Sequence, residues 1–191
     1  MHSEKLHKGI ALSALLLVLG TLPLVSGCSV AVMKDLDSQY YRVPVGSLLT
    51  INQMIEIPRG TARVYIQHGE VSGKINQYDT NCNLRSRVVE RDRRQKVEPG
   101  TYRVSHVGYE VELVRAEPVS QPSADMQVAT IAEGGSVMVS EAYHLYLDGP
   151  DPNLERLTCR GAYTDQHQAQ PPSINEIRKA LGAVMTLTLA E

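Results

Sequence analysis

Apolar and polar positions alternate along much of the chain with a period of two, the mark of strands buried on one face. Leu49, Ile51, Ile55 and Ile57 keep one phase and predict a strand that ends at Pro58-Arg59-Gly60. Ala62, Val64 and Ile66 alternate with Arg63, Tyr65 and Gln67, and His68-Gly69-Glu70 closes this half-buried strand. Residues 84–90 read as another strand. Pro99-Gly100 suits the central pair of a type II turn. Residues 101–105 and 109–114 then predict a hairpin around His106-Val107-Gly108, with Tyr109, Val111 and Leu113 facing one way and Glu110 and Glu112 the other. Residues 117–125, with Pro118 and Pro122, predict a loop, and Gly134-Gly135 a turn. Residues 137–147 are apolar in both phases, as expected of a central strand covered on both sides.

The period changes near the end. Pro171-Pro172 stops what precedes it, and Ser173-Ile174-Asn175-Glu176 has the form of a capping box. Ile174, Ile177 and Leu181 then share a helical face, with Glu176, Arg178 and Lys179 off it, and Gly182 is placed to end the helix. Met185, Leu187 and Leu189 alternate as a last strand. The expected fold class is α+β. It is mainly an antiparallel sheet of about seven to nine strands, a sandwich or partial barrel, with one C-terminal helix lying across it.

Composition agrees with a packed domain. Apolar residues make up 42% of the chain and charged residues 21%, values of a folded protein. Phe and Trp are absent, so the core rests on aliphatic residues, Met and some of the nine Tyr, whose hydroxyls need partners. The net charge of -2 lacks the basic excess of a protein dedicated to nucleic acid.

The first 28 residues follow a different pattern. Lys5 and Lys8 precede an uncharged run from Gly9 to Met33, greasy from Ile10 to Val25 and ending in Val25-Ser26-Gly27-Cys28. A basic start, a short apolar stretch and small residues form the layout of a secretory leader. Together with Cys28 this segment resembles the bacterial lipoprotein signal. The resemblance implies cleavage after residue 27 and acylation of Cys28, and two or more acyl chains give stable anchoring. Ser29, where an Asp is absent, resembles the sorting state for the outer membrane, with the domain on its periplasmic face. The organisation that follows is a leader over 1–27, a lipid-anchored tether over 28–45 that ends at Pro44 and Gly46, and one β-rich domain over 46–191.

Losing the leader removes Lys5, Lys8 and Glu4, so the remaining chain carries -3. Setting Cys28 aside leaves Cys82 and Cys159, 77 residues apart. An exported pair of thiols in an oxidising space points to a disulfide, and neither Cys has the neighbours of a zinc or haem site. Against the acidic background, residues 85–96 carry Arg85, Arg87, Arg91, Arg93, Arg94 and Lys96 against Glu90 and Asp92. Such charge protects a strand edge or hairpin tip. The sharper reading is a patch for an anionic partner: a headgroup or glycan phosphate or an acidic protein surface, met by Arg as a bidentate donor.

Enzyme chemistry finds no motif. No GxSxG, SxxK or HExxH occurs, and no phosphate-binding glycine loop. His68, His106 and His144 sit on inward strand phases and His167 lies later, but none has local ligand spacing, so no metal or cofactor is expected. Residues 148–153 read as an acidic turn without the ligand order of an EF-hand. The function expected first is a non-catalytic outer-membrane lipoprotein, an accessory that presents a compact surface to an envelope protein or an anionic glycan or lipid. A small-ligand or metal-binding β-domain comes second, and an envelope hydrolase third.

Overall fold

A computed structural model of the chain describes residues 34–114 and 138–191. The leader, Cys28, the loop expected over 117–125 and the Gly134-Gly135 turn lie outside the described residues.

Eleven strands and one helix follow in order: β1 (Leu48–Ile51), β2 (Ile55–Ile57), β3 (Arg63–Gln67), β4 (Glu70–Ser72), β5 (Asn81–Ser86), β6 (Gln95–Val97), β7 (Gly100–Val114), β8 (Met138–Asp148), β9 (Leu154–Arg160), β10 (Thr164–Asp165), α1 (Ile174–Leu181) and β11 (Met185–Thr188). Nine of the strands form one antiparallel sheet in the order β11-β1-β7-β8-β9-β5-β3-β4, with β10 paired to the start of β8. β2 and β6 form a separate ribbon. The large sheet curls into a half-barrel. Its inner face supplies Leu49, Val64, Ile66, Leu84, Tyr102, Leu145 and Leu157 to a single core, which the ribbon completes with Ile55, Ile57 and Val97. The α+β class, the antiparallel sheet, the late helix and the Cys82–Cys159 disulfide are all present.

The helix is built as its cap dictates. Ser173 Oγ accepts from the Glu176 N–H (3.3 Å) and Glu176 Oε2 accepts from the Ser173 N–H (2.8 Å). Ile174, Ile177, Ala180 and Leu181 are buried against β3, β5 and β11. Arg178 donates through Nε and Nη2 to the Leu187 carbonyl and ties the exposed side of α1 to β11. Gly182 ends the helix at φ +53, directly against Gly69 in the β3–β4 turn. That turn is a two-residue type I′ loop in which His68 (φ +54) and Gly69 (φ +78) both adopt the left-handed region.

Four sequence expectations change. The apolar phase over 48–57 belongs to two strands in two sheets. The chain bends at Asn52, whose side chain donates to the Ala183 carbonyl and to Thr186 Oγ1, and a break of three residues, an odd number, keeps Ile55 in the phase of Ile51. The hairpin expected around His106 is one continuous strand of 15 residues. A bulge between Val104 and His106 shifts the inward phase from Tyr102 and Val104 to Val107 and Tyr109, and that phase slip imitates a turn. Gly100 begins β7 without the positive φ that a type II turn requires. The strand read over 84–90 covers 81–86 instead, and the charged residues after it leave the sheet.

The described part of the expected tether, residues 34–45, is docked onto the domain. Leu36 and Tyr41 pack against the core and Val43 is buried in it. Asn175 donates its N–H to the Leu36 carbonyl and its side chain to Asp37 Oδ1 (2.7 Å). Tyr143 Oη donates to the Gln39 carbonyl (3.2 Å). Burial raises the phenols of Tyr102, Tyr143 and Tyr163, the cost of using Tyr where Phe is absent.

Two stability outcomes follow from this packing. Replacing both Cys82 and Cys159 by Ser should lower the unfolding free energy by about 2–4 kcal/mol in urea titrations, below the chain-entropy ceiling of about 4.5 kcal/mol for this loop. An alanine Cβ at Gly182 would lie 2.4 Å from the Gly69 Cα, whereas at Gly60, also at positive φ, it meets nothing within 4 Å. Gly60→Ala should therefore cost about 1–2 kcal/mol, the penalty of a left-handed alanine, and Gly182→Ala should lower the melting temperature further.

Candidate functional site

The charged segment becomes a lobe because the chain is pinned at both of its ends. β5 finishes at a register shift between Arg85 and Ser86. The Arg87 N–H then donates to the Asn153 carbonyl in the β8–β9 turn (2.8 Å), and the Ser86 hydroxyl accepts from the Val88 N–H (3.1 Å). Further on, Gln95 Nε2 donates to the Val88 carbonyl (2.9 Å) and the Gly60 N–H donates to the Glu90 carbonyl (2.7 Å). β6 then pairs with β2. Residues 87–94 stand out between these anchors with Val88 and Val89 more than 40% exposed.

A cleft of about 570 Å³ separates the lobe from the β8–β9 turn, lined by Glu90, Arg93, Arg94, Lys96, Asp151 and Asn153 among others. Arg94 Nη1 reaches Glu56 Oε2 at 2.8 Å, and Arg93 Nε lies 3.7 Å from Glu90 Oε2. The hydrogen bond from Arg94 holds the Glu56 carboxyl below the usual glutamate value, with Lys96 adding to the effect. Arg87, Arg91 and Lys96 make no ion pair among the described residues. The lobe therefore carries more guanidinium and ammonium than its carboxylates neutralise.

Its position within the domain is informative. Ser86 and Leu154 mark one end of β5 and β9, and Asn81 and Arg160 the other. The lobe leaves from the first end. Gln39 shares a hollow with Gly161, Pro172 and Glu176 at the second. Six residues of strand, about 20 Å, separate the two ends.

The six predicted basic residues do not act as one patch. Arg93, Arg94 and Lys96 line the cleft, while Arg87 and Arg91 belong to the lobe's exposed stretch. Arg85 stays in β5, on the outer face of the sheet, with Nε 3.0 Å from Glu155 Oε2. Cys82 and Cys159 face each other in register across β5 and β9 and are bonded.

The histidines disperse. His68 sits in the β3–β4 turn with Nε2 3.1 Å from Asp79 Oδ2. His106 rests against the Tyr146 ring, and His167 is exposed. His144 is buried on the outer face, its Nδ1 2.9 Å from Thr158 Oγ1 and its Nε2 2.7 Å from Glu110 Oε2. This hydroxyl–imidazole–carboxylate chain resembles a nucleophile relay in composition, but Thr158 is only 2% exposed. Its hydroxyl cannot reach a substrate, and the chain ties β7, β8 and β9 together. Among the described residues no three His, Cys, Asp or Glu side chains converge as metal ligands, and no helix is long and apolar enough to cross a membrane.

Sequence reasoning missed β9 and the polar outer face it shares with β5. The signal was present: Asn81, Asn83 and Arg85 alternate with Cys82 and Leu84, and Arg156, Thr158 and Arg160 alternate with Leu157 and Cys159. No family model matches the chain, and no curated protein or solved structure matches it either.

The Glu56–Arg94 contact gives a direct check on the lobe's electrostatics. In a carboxyl-carbon NMR titration Glu56 should titrate below the ordinary glutamate value and move up towards it in Arg94→Ser. A carboxyl depressed in the folded state stabilises it at higher pH, so this contribution should fade as pH falls through the lowered Glu56 value.

Proposed function

We propose that this chain is a non-catalytic, lipid-anchored accessory of the bacterial outer membrane, held through Cys28 and using its basic lobe to engage an anionic partner in the periplasm. The observation that carries the reading is the lobe itself, which leaves the sheet at the end of β5 opposite Gln39 and carries more basic groups than its carboxylates neutralise. In the lobe Arg87 and Arg91 make no ion pair among the described residues. Guanidinium groups suit carboxylate and phosphate through paired donors. The disulfide supports an exported, oxidising location.

The test uses the full-length protein produced in a Gram-negative host. The wild-type chain should incorporate labelled palmitate and fractionate with the outer membrane, and Cys28→Ala should lose both. In-cell crosslinking should capture an anionic neighbour with the wild type, and the capture should fall at least about fivefold when Arg91, Arg93 and Arg94 are changed to Ser. Labelling of Cys28→Ala, or unchanged capture by the triple variant, would refute the proposal.

A further inference from the structure

The outer face of the sheet carries a row of side chains at right angles to its strands. Arg63 on β3 is in register with Arg85 on β5, Arg85 with Arg156 on β9, Arg156 with Tyr146 on β8, and Tyr146 with His106 on β7. Directly paired residues in antiparallel strands share a face, so five adjacent strands contribute one continuous line. Three neighbouring positions in it are Arg. Like charges directly opposite one another destabilise a sheet unless other groups compensate them.

Compensation along the row is incomplete. Among the described residues Glu155 is the acid that contacts it, 3.0 Å from Arg85 Nε and 3.7 Å from Arg156 Nη1. Arg63 is exposed, makes no ion pair among the described residues and extends over the Tyr65 ring at 5.7 Å. Arg156 donates from Nη1 to Tyr146 Oη (3.1 Å) and stacks on the same ring at 5.6 Å, and its buried Nε has no hydrogen-bond partner among the described residues. The aromatic end is organised as well, with the His106 and Tyr146 ring centres 5.4 Å apart. The next row is Tyr65, Asn83, Thr158, His144 and Gly108. Its Asn83, Thr158 and His144 are buried and bonded to one another or to Glu110. They form a low, fixed floor beside the cationic line, and Gly108 leaves the flank of Tyr146 and His144 uncovered.

We propose that this face binds an acidic polysaccharide laid across the strands, with carboxylates of the chain on Arg63, Arg85 and Arg156 and a sugar ring stacked on Tyr146 and His106. Neighbouring strands are about 4.8 Å apart, so the row runs roughly 19 Å from Arg63 to His106, long enough to lie along several sugars of an extended chain. Fork-shaped guanidinium donors match carboxylates, and an aromatic ring offers an apolar plane to the C–H face of a sugar. A polysaccharide is favoured over a nucleic acid by the disulfide, which belongs to an oxidising compartment. Within the row itself the two rings, Tyr146 and His106, stand side by side at one end, whereas base stacking along a strand favours rings interleaved with the cations. The site is separate from the lobe's Arg91, Arg93 and Arg94, so it stands whether or not the lobe has the role proposed above.

The test measures binding of fluorescein-labelled oligogalacturonate to the intact protein in detergent. Binding should be saturable and should weaken as salt rises. Arg63→Gln with Arg85→Gln, both exposed positions whose fold is checked by an unchanged melting curve, should weaken it by about a hundredfold, tenfold for each lost guanidinium. Arg156→Lys, which keeps the charge but loses the fork, should also bind more weakly. The Arg91, Arg93, Arg94→Ser variant should bind as the wild type does, which separates failure of this site from failure of the lobe. No binding of oligogalacturonate, equal binding of neutral dextran, unchanged affinity in the Arg63/Arg85 variant, or tighter binding of a single-stranded oligonucleotide would overturn the proposal.

Discussion

Strand register is the constraint on which this molecule rests. A one-residue slip in an antiparallel pair sends every inward side chain outward. Here the two faces differ sharply, because Leu84 and Leu157 face the core and Asn83, Arg85, Arg156 and Thr158 face outward on the same two strands. The Cys82–Cys159 bond lies within that pair and fixes which residues stand opposite one another. The core and the outer polar rows therefore depend on one alignment, and a covalent bond holds it.

The outer face shows what a polar surface requires when it is partly buried. His144 satisfies Thr158 and Glu110 together, and Arg160 pairs with Glu112, so three strands are joined through side chains as well as through the backbone. Buried polar groups are tolerated when each finds a partner. The aromatic budget follows the same logic: with no Phe or Trp, the chain fills large interior positions with Tyr102 and Tyr143, and Tyr143 directs its hydroxyl to the Gln39 carbonyl at the core's margin.

Much of this architecture was legible in the sequence, and the gaps have physical causes. Ser173, Glu176 and Gly182 define the helix because a capping box and a positive-φ terminus are local signals. The two-sided apolar run ending at Leu147 identifies β8, because a central strand must be covered on both faces. The alternation in β3 is equally local. A bulge at Ser105 and a bend at Asn52 are not local in this sense, since each is stabilised by partners far along the chain. The basic residues were visible as a cluster, but their division between a lobe and a sheet face depends on where β5 stops. The row joining Arg63 to His106 brings together five distant segments, so no window of sequence contains it.

The stretch before β1 has a practical corollary. Val43 is part of the interior, Leu36 and Tyr41 pack against it, and the Gly46 N–H donates to the Val104 carbonyl. A fragment trimmed at Pro44, where the sequence alone invites a boundary, would uncover the start of α1, strip Tyr143 of its acceptor and leave an apolar scar. A truncation intended for biophysics is therefore best drawn ahead of Leu36.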